Sequence, residues 1–89
     1  MSSRRDVPPG GKREAYAKAI GKVLRSARTH AGMNMRDLSE KSGLSMHKIN
    51  RIENAEYEVD LVEFLDLFDA IGISGAVAVR RVQAEMAVS

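Results

Sequence analysis

Two short stretches of helical pattern, separated by a glycine, constrain the fold of this chain more than any other feature. They span residues 35–42 and 45–54, and Gly43 lies between them, where a left-handed backbone conformation costs glycine little. In the second stretch Ile49 and Ile52 are three residues apart and share one helical face. Two short helices joined by such a turn form a unit whose second helix can enter the major groove of DNA. The pattern predicts a helix-turn-helix unit over residues 35–54.

Capping residues set the start of each of these helices. Asn34 can accept a hydrogen bond from a free amide of the first helical turn, and Asp37 three residues later makes an imperfect capping box. Ser45 is the corresponding cap of the second helix, and Leu44 before it is expected to point inward. These signals predict where both helices begin.

Three further helices are predicted around this unit. The first runs from about Lys12 to His30 and stops at Gly32; the fourth is capped by Asp60 with Glu63 and stops at Gly72. Their apolar positions are Tyr16, Ile20, Val23, Leu24 and Ala27 in the first, and Leu61, Phe64, Leu65, Phe68 and Ile71 in the fourth.

The end of the chain is less strongly patterned. Ser74 can cap a last helix, but Gly75 and several valines weaken its helical preference, so a strand over 76–82 stays open. The fold class that follows is all-α, a compact domain of four to five helices. Residues 1–11, with two prolines and two glycines behind two arginines, are expected to form a flexible basic arm.

Composition narrows the classes of protein that the sequence can encode. The chain has 89 residues and no cysteine, so disulfides and the commonest structural zinc sites are excluded and stability must come from a modest core. No run approaches the roughly 20 apolar residues of a membrane span. Arg4 and Arg5 are not followed by the apolar stretch of a signal peptide. We expect a single cytoplasmic domain that does not contact a membrane.

Motifs for catalysis or metal binding are not found in the sequence. His30 and His47 lie on different predicted elements without the spacing of a zinc-binding helix. Gly10 and Gly11 follow no strand that would make them a nucleotide-binding loop. We predict that the protein is not an enzyme and requires neither a metal nor a cofactor.

Charge is distributed unevenly along the chain, although the net charge is only +2. Residues 1–30 hold eight basic side chains against Asp6 and Glu14, whereas residues 56–70 hold six acidic side chains and no basic one. This asymmetry suits a protein that offers one face to phosphates. Ordinary solvated faces are the alternative interpretation.

Three sequence motifs carry a resemblance to a known family. They are R-x-x-x-G at Arg28–Gly32, D-L-S-E-K-S-G-L-S at Asp37–Ser45, and I-x-R-I-E-N at Ile49–Asn54. Together they make residues 20–73 resemble the Cro/cI-like (XRE-type) helix-turn-helix regulators. The resemblance implies a lambda-repressor-like DNA-binding domain over 12–73 and a C-terminal helix or tail over 74–89. It also implies a structural ion pair between Arg28 and Glu53.

The predicted DNA-binding residues lie on or beside the two short helices. They are Met35, Arg36, Ser45, Met46, His47, Lys48, Asn50, Arg51 and Asn54. Lysine and arginine can donate to guanine and asparagine can pair with adenine, although Lys48 and Arg51 could equally bind phosphate. Arg4 and Arg5 of the arm either reach the DNA or belong to a solvated tail.

Several residues depart from the family pattern. Met35 and Met46 stand where the family often has glutamine, and methionine cannot reproduce a glutamine hydrogen bond. Met46 could instead contact a thymine methyl group, or face solvent or a protein partner. Ser42 replaces a buried aliphatic residue, and Val59 stands near a frequent proline, which puts the local packing in doubt.

The expected partners are double-stranded DNA and a second copy of the chain. One short recognition helix contacts few base pairs, so we expect a homodimer on a palindromic operator, acting as a repressor. The dimer contact is placed within Leu61–Met86, on Val77, Val79, Val82 and Met86. The alternatives are an antitoxin-like or anti-activator module on the same fold, which binds a second protein through residues 56–89.

Overall fold

Residues 5–88, the part of the chain that the computed structural model describes, contain five helices joined by short loops. They are α1 (Gly11–His30), α2 (Met35–Ser42), α3 (Met46–Glu53), α4 (Leu61–Ile71) and α5 (Gly75–Val88). The all-α fold class is confirmed. Residues 76–82 are helical, so the strand alternative for this segment is wrong. None of the described helices is long and apolar enough to cross a membrane.

The caps explain why the short helices begin where they do. Asn34 Oδ1 accepts from the Asp37 amide at 2.8 Å, and Asp37 Oδ2 accepts from the Asn34 amide at 3.0 Å, so the capping box that looked imperfect is complete. Ser45 Oγ accepts from the Lys48 amide at 3.1 Å and caps α3. Gly43 ends α2 with φ of 81°, in the left-handed region.

The turn between α2 and α3 is held by two serines. Ser39 Oγ donates to the Leu44 carbonyl at 2.6 Å, and Ser42 Oγ accepts from the Leu44 amide at 3.2 Å. The hydroxyl of Ser42 thus contributes a polar link at a position where the family usually has an aliphatic side chain. Val59 is half-buried and packs against the core.

The core lies between the five helices, and all of them contribute buried side chains to it. Its fully buried large side chains are Leu24, Leu38, Ile49, Ile52, Leu67 and Phe68. The rings of Phe64 and Phe68 pack at 4.8 Å between centroids. Tyr16 and Leu65, placed on apolar stripes by periodicity, are instead 43% and 42% exposed.

α1 and α3 cross at a glycine. A Cβ atom on Gly21 would lie 2.7 Å from the carbonyl oxygens of both Ile52 and Glu53, closer than real contacts allow. Only glycine permits this approach. The close contact at Gly21 therefore fixes the position of α3 on α1.

α5 packs against α1 and α4 through one stripe of small and branched residues. Ala78 and Val82 are buried, and Met86 packs partly buried against the core. These positions recur every four residues and face inward together. Val82 and Met86, which the sequence assigned to a dimer contact, therefore belong to the packing of the monomer, whereas Val79 is 42% exposed.

The segment before α1 contacts the loop that joins α3 and α4. The Arg5 carbonyl accepts from the Glu58 amide at 2.7 Å, and Asp6 and Tyr57 form an antiparallel bridge. The sequence suggested a flexible arm over residues 1–11; from Arg5 onward this segment lies against the domain because long-range hydrogen bonds bind it there. Arg4 lies outside the described residues.

Candidate nucleic-acid interface

The outer face of α3 is the surface opposite its buried isoleucines. Because Ile49 and Ile52 point into the core, Met46, His47 and Asn50 are turned outward and are exposed. Ser45 precedes them, also exposed, with its hydroxyl engaged in the helix cap. This face belongs to one short helix and is left uncovered by the other helices, a shape that a major groove accommodates.

Two asparagines continue this face toward the end of α3. Asn54 Nδ2 donates to Asn50 Oδ1 at 3.1 Å, and Asn54 Oδ1 accepts from Arg25 Nη2 at 3.0 Å. The first bond engages the oxygen of Asn50 and leaves its amide nitrogen as the donor. Asn50 can then donate to base acceptors such as guanine O6 or N7, or thymine O4.

Lys48 and Arg51 lie on the flank of α3, not at the centre of its outer face. Lys48 Nζ is 3.0 Å from Glu63 Oε2, and Arg51 Nη2 is 2.7 Å from Asp6 Oδ1. Hydrogen bonds to these carboxylates raise the pKa of the Lys48 ammonium and of the Arg51 guanidinium. Both cations, which were predicted to contact either bases or phosphates, are bound to carboxylates of the protein in this structure.

Tyr57 is the centre of this flank. Its ring lies between 5.3 and 5.9 Å from three cationic groups, those of Arg5, Lys48 and Arg51, within the range of cation–π attraction. Its hydroxyl donates to Glu63 Oε2 at 3.0 Å. We name the group formed by these four side chains with Glu63 the Tyr57 cluster.

One member of the Tyr57 cluster, Arg5, is a residue that the sequence predicted as a DNA contact of the arm. Arg5 Nη2 is 2.8 Å from Asp60 Oδ2, and Arg5 Nη1 is 3.0 Å from Glu63 Oε1. These bonds hold Arg5 against the start of α4. It is therefore positioned on the domain, on the same side as the flank of α3.

The carboxylates around this cluster titrate at low pH. Partial burial raises the pKa of Glu63, but hydrogen bonds from the Asp60 amide, Lys48, Tyr57 and Arg5 bring it below its usual value. The Glu63 amide, followed by Arg5, lowers the pKa of Asp60. Arg13 binds the Glu58 carboxylate through two nitrogens and lowers its pKa. All three groups are anions at neutral pH.

The ion pair implied by the family resemblance fastens the end of α3 to α1. Arg28 Nε and Nη2 lie 2.7 and 3.0 Å from the two Glu53 oxygens, and Arg28 Nη1 donates to the Met33 carbonyl at 2.9 Å. The Glu53 side chain has no exposed surface, and Arg25 Nε reaches the same carboxylate at 3.2 Å. The hydrogen bond to Glu53 raises the pKa of Arg28.

The two predicted contacts at the start of α2 have different surroundings. Arg36 is exposed, whereas Met35 is half-buried and packs against the core. Met35 is therefore a packing residue, and Arg36 remains the available cation of this turn.

Sequence reasoning missed the residues that organise the flank. Tyr57 and Asp6 show no helical periodicity or motif that would single them out. Arg25, which binds Glu53 and Asn54 at the end of α3, was also missed. Ala55 has φ of 60°, the one non-glycine residue in the left-handed region within residues 5–88. Such a conformation is frequent just after a helix, usually at glycine, so an alanine at this position gives no signal of it in the sequence.

Within residues 5–88, no three His, Cys, Asp or Glu side chains are grouped so that they could hold a metal ion. The described surface has instead an apolar groove of about 290 Å³ between α1, α4 and α5. Its walls include Tyr16, Leu61 and Val79, which are partly exposed.

A bihelical unit on a helical core, with the outer face of its second helix exposed, defines the helix-turn-helix class of proteins. The family model of the helix-turn-helix domain matches residues 19–80, and the chain belongs to this family. The resemblance to Cro/cI-like regulators is confirmed.

Solved structures of regulators share this fold. The clp gene regulator ClgR from Corynebacterium glutamicum is 29% identical with a TM-score of 0.78, over 82% of this chain and 78% of that chain. The restriction-modification controller protein C.AhdI from Aeromonas hydrophila is 30% identical with a TM-score of 0.69, over 72% and 97%. The controller protein C.Esp1396I, solved as a tetramer in complex with its natural 35 base-pair operator, is 21% identical with a TM-score of 0.76, over 81% and 95%. A comparison with curated protein sequences gave no match.

Proposed function

We propose that the protein is a sequence-specific DNA-binding transcriptional regulator that inserts α3 into the major groove of its operator. The observation that carries this proposal is the exposed outer face of α3 in a helix-turn-helix unit. ClgR, which shares the fold at 29% identity, is a gene regulator, and C.Esp1396I is solved on its operator. A regulator acts where the chromosome is, and we place the protein in the cytoplasm.

The proposed contacts divide into base-reading and phosphate-binding groups. His47 and Asn50 donate to base edges, and Met46, 44% exposed, contacts a thymine methyl group. Arg36 and Asn54 bind phosphates beside the groove. Ser45 caps the first turn of α3, and Lys48 and Arg51 bind phosphates of the DNA backbone from the flank.

The proposed active form is a homodimer on a two-fold symmetric site. Leu61 and Val62 are 69% and 66% exposed, and Leu65 and Val79 are each 42% exposed. Grouped large apolar side chains on a surface mark interaction sites. We therefore place the interface on α4 with Val79 instead of on the other predicted α5 residues, of which Val77 is half-buried. A dimer that covers a promoter excludes polymerase, which makes repression the proposed outcome.

Selection from a random-sequence duplex library tests the DNA-binding proposal. We expect enrichment of a two-fold symmetric site and affinity that falls steeply between about 50 and 200 mM salt. Asn50→Ala and His47→Ala should each reduce the preference for the selected site by about tenfold, equivalent to about 1.4 kcal/mol. Arg80→Ala, which removes an exposed cation of α5, is the control and should leave the preference unchanged.

Failure of this selection has a defined meaning. Binding without enrichment of any sequence would contradict the proposal and favour the module that binds a second protein through residues 56–89. The dimer is tested separately by sedimentation: Leu65→Glu should give monomers, and Val88→Glu, at an exposed valine at the end of α5, should not.

A further inference from the structure

The N-terminal segment brings an acidic side chain to the flank of the recognition helix. The antiparallel bridge between Asp6 and Tyr57, with the hydrogen bond from the Glu58 amide to the Arg5 carbonyl, sets the backbone of this segment beside the loop after α3. The Asp6 carboxylate then lies 2.7 Å from Arg51 Nη2. An anion of the protein itself therefore sits on the flank from which α3 would meet the DNA backbone.

The contact occupies the donors of one guanidinium nitrogen. Arg51 Nη2 carries two hydrogens, and it donates to Asp6 Oδ1 at 2.7 Å and to the Glu56 carbonyl at 3.0 Å. A DNA phosphate oxygen that approached this nitrogen would meet both acceptors already in place. The Asp6 carboxylate would also repel the phosphate, because both are anions.

Both partners are accessible enough to separate. The side chains of Arg51 and Asp6 are 28% and 34% exposed, and an accessible ion pair contributes little to stability. Arg5, bound to Asp60 and Glu63, holds the segment on the domain independently of the ion pair between Asp6 and Arg51.

We propose that Asp6 is an internal competitor for DNA phosphate: it occupies Arg51 in the free protein and is displaced when a backbone phosphate binds this guanidinium. The proposal rests on the proposed function, because it requires that α3 meets DNA. Asp6 lowers DNA affinity in this scheme, and its removal leaves Arg51 available before DNA arrives.

Titration of a single DNA duplex of arbitrary sequence with the wild-type protein and with Asp6→Asn tests this proposal. Asparagine keeps the size of the side chain and removes its charge. We expect Asp6→Asn to lower the Kd by about two- to fivefold at low salt, the range of a partly exposed ion pair. Asp69→Asn removes an exposed carboxylate near the end of α4 and is the matched charge control, expected to change the Kd less than twofold.

A second pair of variants separates competition at Arg51 from general repulsion. In an Arg51→Ala background, Asp6→Asn should have no larger effect than the control. An equal gain in both backgrounds would overturn the proposal, and so would an Asp6→Asn variant that binds like wild type or more weakly. These titrations depend on binding to phosphates and not on a particular sequence. They therefore test the role of Asp6 even if the selection enriches no operator, a result that would contradict only the proposed function. Absence of duplex binding by every variant would overturn both.

Discussion

Substitution of Gly21 by alanine should destabilise the protein, although helix propensity alone predicts the opposite. Alanine is favoured over glycine by about 1 kcal/mol in a helix interior. The new Cβ atom would lie 2.7 Å from two carbonyl oxygens of α3, where ordinary contact begins at 3.4 Å. α1 and α3 must therefore separate by about 0.7 Å at their crossing, the difference between these two distances.

The size of the effect follows from what the methyl group meets. Overpacking costs about 1–3 kcal/mol, and the upper end applies because a backbone carbonyl cannot rotate out of the way as a side chain can. After subtraction of the propensity gain, the net loss in unfolding free energy is about 2 kcal/mol. For a domain of this size, this loss lowers the Tm by about 10 °C.

Thermal and urea unfolding of Gly21→Ala and Ser26→Ala measure the effect directly. Ser26 is exposed on the same helix, so its replacement by alanine reports propensity without a close contact and should raise stability by a few tenths of a kcal/mol. An increase in Tm for Gly21→Ala as well would refute the inference that the glycine is required by the crossing of α1 and α3.

Three further changes test other parts of the structure. Ala55→Gly should raise the unfolding free energy by about 0.5–1 kcal/mol, because φ of 60° strains alanine and not glycine; an unchanged or lower urea midpoint would contradict this. Glu53→Gln should cost about 3 kcal/mol, since Arg28 would keep a largely buried charge without its anion; a loss below 1 kcal/mol in urea unfolding would mean that the pair is dispensable. The lowered pKa values of Glu58 and Glu63 mean that their stabilisation is complete above the unfolded pKa near 4.3 and is lost as the pH falls through the lower folded values. Urea unfolding from pH 7 to 3 should therefore show a weaker acid dependence for Glu58→Gln than for wild type, and identical slopes would count against this assignment.

The elements that could be predicted from the sequence are those specified by local signals. Asn34 and Ser45 cap their helices, and Gly43 ends α2, because each acts on a backbone group within a few residues. Ile49 and Ile52 share a face by spacing alone. These local rules are sufficient for the bihelical unit and for the direction in which its outer face points.

The contacts of the flank depend on pairs that are far apart in the sequence. Asp6 and Arg51 are 45 positions apart, and no periodicity connects them. The residue type of Lys48 predicts a contact with guanine or with phosphate, but it does not reveal the ion pair with Glu63 of the next helix. Residue type and helical position alone cannot show which anion a long cationic side chain will meet.

Periodicity alone also could not predict which residues of α5 are buried. Apolar side chains surround much of this helix, so periodicity does not rank its valines. The spacing of Ala78, Val82 and Met86 identifies the inner stripe only once α1 and α4 are known to lie on that side. Val79, one position beyond this stripe, is then left exposed.

The two ends of α3 differ in their surroundings: the C-terminal end packs against α1, whereas the N-terminal end is exposed. Its C-terminal part is fixed to α1 by the Gly21 crossing and by Glu53, which binds two arginines. Its N-terminal part carries the exposed Met46 and His47. Substitutions at the exposed end should therefore change which DNA is bound with little change in unfolding free energy, whereas substitutions at the fixed end should lower stability and DNA affinity together. The two effects separate because a buried carboxylate and a helix crossing without a Cβ atom transmit any displacement to the whole of an eight-residue helix. The side chains of Met46 and His47, by contrast, are exposed.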